Sequence, residues 1–109
     1  MIYEKLIKAD IDISTSGDNT IIAAPSGTSE YIAIDFISFI PDSAVTVQLK
    51  DGSTSYGGAY SLAANQELSM YNPGDGDGVI TLSANSAFVI NLSAAVQTSG
   101  FVRYRIINK

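Results

Sequence analysis

Cysteine, histidine and tryptophan are absent from this 109-residue sequence, and only three prolines and two methionines occur. Without cysteine the fold uses neither disulfides nor thiolate metal sites, and the redox compartment leaves no mark. Without His or Cys, the Ser-His and Cys-His nucleophile pairs cannot be assembled within one chain, and the HExxH zinc motif is excluded. Charge is also scarce: 16% of residues carry it, so Ser, Thr, Asn, Gln and Gly must fill the outward positions. Such surfaces are common in β-sandwich proteins and in proteins whose faces are covered by neighbours. Eleven acidic against six basic side chains leave a net charge of −5. That sign argues against a partner whose phosphates must be neutralised, so no nucleic acid is expected. No apolar run approaches the ~20 residues that span a bilayer, and no basic start followed by an apolar run marks a leader. Membrane partners are therefore not expected either.

Hydrophobic residues make up 46% of the chain, which is too many for a disordered tail. The length fits one core, expected over residues 7–109, with residues 1–6 as an N-terminal arm. Ile7, Ala9, Ile11 and Ile13 alternate with Lys8, Asp10, Asp12 and Ser14, the pattern of a half-buried strand. Ser16–Asn19 reads as a turn and Thr20–Ala24 as a short strand, ended by Pro25 and Gly27. Tyr31–Ile40 is the most apolar run. Strict alternation puts Ile32, Ile34, Phe36 and Ile40 on one side with Ser38, and Tyr31, Ala33, Ile37 and Phe39 on the other around Asp35. A strand with large residues on both faces needs cover from two sides, and a partner subunit is the simplest source of the second.

Val45, Val47 and Leu49 give another alternating strand, stopped at Asp51-Gly52, a dipeptide suited to a tight hairpin. Ser53–Gly58 reads as an exposed loop, Tyr60–Leu62 and Glu67–Tyr71 as short strands, and Val79–Leu82 as another. Phe88, Ile90 and Leu92 form an apolar row; Val102, Tyr104 and Ile106 form a second, with Phe101, Arg103 and Arg105 facing away. The connector Ser93–Gly100 is read as the loop of a hairpin joining these last two strands. Together these make about eight or nine strands at spacings of roughly eight to twelve residues, and no helix of ordinary length. The fold class is all-β, an antiparallel β-sandwich.

Candidate sites are few. Asp75-Gly76-Asp77-Gly78 places alternating carboxylates in a glycine-rich loop, as calcium sites do. An EF-hand would also need an oxygen ligand and a glutamate where Val79 and Ser86 stand, so a solvated turn is expected, with no metal and no cofactor. Tyr56, Tyr60 and Tyr71, near glycine-rich loops and Asp75 and Asp77, could stack on a sugar; equally, tyrosine is simply a favoured strand residue. Asp35 lies among apolar residues, where burial would raise its pKa, and this keeps a carboxylate mechanism formally open. A paired or partly exposed interface role is the plainer expectation, and no catalytic residue is assigned. Arg103 and Arg105 with Phe101 have the chemistry of interface anchors, or are solvated on an outer face.

GDNTIIAA at 17–24, VTVQLKDGS at 45–53, SLAANQ at 61–66 and INLSAAVQTSGFVRYRI at 90–106 together resemble small tailed-phage virion proteins. The resemblance covers most of the chain from Gly17 onward. It implies a jelly-roll-like sandwich of about eight strands and a non-enzymatic role as a head decoration (cement) protein. Such a protein is made in the host cytoplasm and sits on the capsid surface, commonly as a homotrimer bound to the major capsid protein. The alternative is a receptor- or glycan-binding domain of a fibre or tail. On the first reading Tyr31, Ile37 and Phe39 are expected at subunit contacts, with Phe101, Arg103 and Arg105 beside them, and the N-terminal arm on the shell.

Overall fold

The computed structural model describes residues 5–73 and 78–108, and ten strands occur among them. In chain order they are β1 (Ile7–Ile13), β2 (Gly17–Ile22), β3 (Glu30–Pro41), β4 (Val45–Asp51), β5 (Thr54–Ser55), β6 (Tyr60–Leu62), β7 (Leu68–Tyr71), β8 (Ile80–Thr81), β9 (Phe88–Leu92) and β10 (Thr98–Asn108). The alternating runs became strands wherever one row of side chains could be buried. Ile11, Val47, Leu49, Phe88, Ile90, Leu92 and Val102 are each at most 1% exposed.

Two sheets form, ordered β1-β10-β3-β7 with β8 also on β3, and β2-β9-β4-β5 with β6 also on β4. The pairs β1·β10, β2·β9, β3·β7 and β4·β6 are all antiparallel. They are the rungs of one long ribbon, its first arm β1–β4 and its returning arm β6, β7, β9 and β10. Rolling that ribbon brings β10 beside β3 and β9 beside β4, which closes the two sheets. This is the jelly-roll topology, with β5 and β8 as two-residue additions.

Three local expectations change. β9 and β10 lie in different sheets, so the connector is not a hairpin loop: residues 93–97 carry the chain across the sandwich, and Thr98–Gly100 already belong to β10. Gly17–Asn19 belong to β2, since their backbone pairs with Asn91 and Leu92 of β9 and with Ile90. The third change is in β3. Its register with β10 slips between Arg103 and Tyr104, because Phe36 faces Arg103 while Ile34 faces Tyr104, and Asp35 has no counterpart. An extra residue reverses the alternation from that point on. Ile32 and Ile34 face inward before the bulge and Ile37 and Phe39 after it, all at most 1% exposed. Phe36, Ser38 and Ile40 therefore lie on the outer face. β3 fills one core with both of its apolar sets, and the inference of a second cover drawn from strict alternation does not hold for Ile37 and Phe39.

A tight hairpin forms beside Asp51-Gly52, one residue further on than an Asp-Gly turn would place it. Asp51 pairs with Thr54, so Gly52 and Ser53 are the central residues, and Gly52 has φ +61° at the first of them, the type II′ pattern. Gly100 sits opposite Phe39, where a β-carbon would collide with the Ser38 carbonyl oxygen. Only glycine lets β10 approach β3 this closely.

Candidate functional site: the outer face of the β1-β10-β3-β7 sheet

The period of two sends Lys8, Asp10 and Asp12 outward from β1, and Ser99, Phe101 and Arg103 outward from β10. The bulge adds Phe36, Ser38 and Ile40 of β3, and Tyr71 follows from its pairing with Phe36. Phe36 and Phe101 stack tilted, 5.2 Å between ring centres, as aromatic neighbours on adjacent strands do. Around them Leu6, Asp35, Tyr71, Asn72 and Arg103 complete a groove of about 390 Å³. A smaller recess of about 210 Å³ shares Leu6 and Arg103 with it. Among the described residues, the exposed large hydrophobic side chains are Leu6 (48%), Ile40 (40%) and Tyr71 (70%), and all three are on this face.

The opposite sheet differs. There Asp18 accepts from Lys50 Nζ at 2.9 and 3.1 Å and from Asn91 Nδ2 at 2.7 Å, a polar ladder across three strands. The Asn91 hydrogen bond, then that of Lys50, holds the Asp18 carboxyl below its ordinary pKa.

Asp35 anchors one end of the groove. Arg105 Nε donates to its Oδ2 at 2.6 Å and Nη2 to its Oδ1 at 3.0 Å, while Asn72 Nδ2 donates to Oδ1 at 2.9 Å. Burial pushes this carboxyl up, as expected from its apolar strand. The hydrogen bonds from Arg105 and Asn72 and the guanidinium charge outweigh burial, and the pKa is lowered. Asp35 is thus a paired anion, ill suited to acid catalysis.

The expected site residues separate. Phe101 and Arg103 line the groove, and Arg105 faces the same side but is engaged with Asp35. Tyr31 is half-buried opposite Ile107, at the far end of β3. Ile37 and Phe39, expected at a subunit contact, are packed inside the sandwich instead. The three tyrosines do not make one platform. Tyr56 packs against the core with its hydroxyl oxygen accepting from Thr81 N at 3.3 Å, Tyr60 packs against the core from β6, and Tyr71 stands on the other sheet. Asp75 and Asp77 of the proposed ligand loop, and residues 1–4 of the arm, lie outside the described residues; Lys5 and Leu6 of the arm are exposed. Among the described residues no group of three or more acidic side chains is placed to hold a metal ion.

Sequence reasoning missed Leu6, Phe36 and Ile40 as surface residues. Leu6 continues the outward parity of Lys8 and was hidden in the arm, and the other two depend on the bulge. No protein-family model matches the chain, and no curated protein matches it in sequence.

Proposed function

We propose that this protein is a non-enzymatic structural component of a tailed phage, a head decoration protein that binds the assembled capsid and stabilises it. The observation that carries this reading is the concentration of exposed large hydrophobics on one sheet face of a jelly roll. Large apolar side chains gathered on one face mark a surface that a neighbouring protein covers once the molecule is part of an assembly. The fold alone assigns no function, although jelly rolls recur in capsid proteins; the phage setting comes from the resemblance of four segments spread from Gly17 to Ile106.

The mechanism is thermodynamic. A protein that binds only the assembled lattice favours that lattice by its binding free energy, and several linked copies multiply the effect through avidity. The partner is the major capsid protein, and the place is the capsid surface. The test is cosedimentation with purified heads and with unassembled capsid protein. Saturable binding to heads alone, with a raised melting temperature of the shell, is the expected result; absence of binding to heads overturns the reading.

A second reading, a receptor- or glycan-binding domain of a fibre or tail, is favoured by the Tyr71 ring at the mouth of the groove, 70% exposed. Glycan binding lost in Tyr71→Ala, with no association to heads, would establish it in place of the first.

A further inference from the structure

We infer that the outer face of the β1-β10-β3-β7 sheet is covered by the same face of a second copy, related by a two-fold axis running across the strands. This goes beyond the decoration reading and holds whether the protein sits on a head or a fibre. The face is complementary to itself. Its groove, lined by Leu6, Phe36, Tyr71, Phe101 and Arg103, lies at one end; the exposed Ile40 lies four residues from Phe36 along the same strand, roughly 13 Å away. A hole and a knob are thus set on either side of the Phe101 row.

Charge is divided in the same sense. Lys8 and Arg103 are directly opposite each other at the groove end, with Arg103 free of any carboxylate contact among the described residues. Asp12 and Glu67 mark the other end; Glu67 Oε2 accepts from Ser38 Oγ at 2.8 Å, which fixes it on this face. An axis across the strands turns the second sheet end for end and keeps β1 over β1. Ile40 of the second copy then enters the groove over Phe36, Lys8 meets Asp12, Tyr71 meets Glu67, and the two Phe101 rings meet at the axis. The alternative axis, parallel to the strands, would set the basic ends against each other. Each contact between different residues occurs twice, and those of Phe101 and Asp10 with their own counterparts lie on the axis and occur once, as a two-fold interface requires. The one approach of like charges is Asp10 with its counterpart, and Lys8 lies 3.1 Å from it in each copy.

The test is the mass in solution of the intact chain and its variants. The wild type is expected at twice the 11.5 kDa chain mass at micromolar concentration. Lys8→Asp, Asp12→Lys and Ile40→Glu should each raise the dissociation constant about tenfold or more, with unchanged far-ultraviolet circular dichroism, since all three positions are exposed. Lys8→Asp combined with Asp12→Lys should restore the dimer, because the swapped charges again face each other. A monomeric wild type, the three-chain mass implied by the resemblance, a dimer indifferent to Ile40→Glu, or failure of the double swap would each overturn the inference.

Discussion

Asp35 and Arg105 are joined by two hydrogen bonds, 2.6 and 3.0 Å long, across the bulge where β3 changes phase against β10. The bulge leaves Asp35 without a partner in the ladder, and the guanidinium from the neighbouring strand gives its carboxylate one. Side-chain exposures of 17% and 20% make the pair less screened than a surface ion pair. Removing Arg105 leaves a half-buried carboxylate with only part of its hydrogen bonding, so Arg105→Ala should cost about 1–3 kcal/mol. A double-mutant cycle with Asp35→Asn, read by denaturant unfolding, should return a favourable coupling; additivity would show that the pair contributes nothing.

The same pair sets an acid limit. The folded-state pKa of Asp35 is depressed, so its contribution is complete above the ordinary carboxylate value of about 3.9. It is lost as pH falls through the lower folded-state value. Unfolding free energy measured against pH should therefore fall below about pH 4, and fall less steeply in Asp35→Asn. Equal slopes would remove Asp35 from the account.

The phase change in β3 predicts two classes of substitution along one strand. Ile37→Ala and Phe39→Ala empty space inside the sandwich and should cost about 2–5 kcal/mol. Ile40→Ala, on the outer face, should stay within about 0.5 kcal/mol of wild type for the isolated chain. Strict alternation would group Phe36 with Ile34 and leave Ile37 outside, so comparable losses at Ile40 and Ile37 would contradict the bulge.

Glycine is required at position 100 by the approach of two backbones. Gly100→Ala drives a methyl group into the Ser38 carbonyl and should cost about 3 kcal/mol. Gly58→Ala, where a β-carbon meets nothing within 4 Å, should change stability by no more than about 0.5 kcal/mol. Thermal unfolding of the two variants side by side checks this.

These contrasts also show what the residues alone could tell. The strands of the sandwich were legible because Ile7–Ile13 and Val45–Leu49 each keep a period of two and bury one row, and Phe88, Ile90 and Leu92 make such a row in β9, where Val89 on the other row is buried as well. Which sheet a strand joins was not, since nothing local in Ser93–Gly100 distinguishes a hairpin loop from a passage between layers. The bulge left a trace: Ile32, Ile34, Ile37 and Phe39 are two alternating pairs offset by one residue around Asp35. Gly100 left none, since it reads as the last residue of the connector, and its reason lies 62 positions earlier at Ser38. The groove was half visible through Phe101 and Arg103. Its remaining wall, Leu6, Phe36 and Tyr71, comes from three separate segments that only the rolled ribbon brings together.

The central claim is that the protein works by burying the outer face of the β1-β10-β3-β7 sheet against protein. Hydroxyl-radical footprinting of the wild type, assembled against dilute, measures that burial side chain by side chain. Oxidation of Leu6, Phe36, Ile40, Tyr71 and Phe101 should fall several-fold on assembly, while Tyr56 and Tyr60 keep their reactivity. Unchanged oxidation of the five, or protection centred on the opposite sheet, would contradict it.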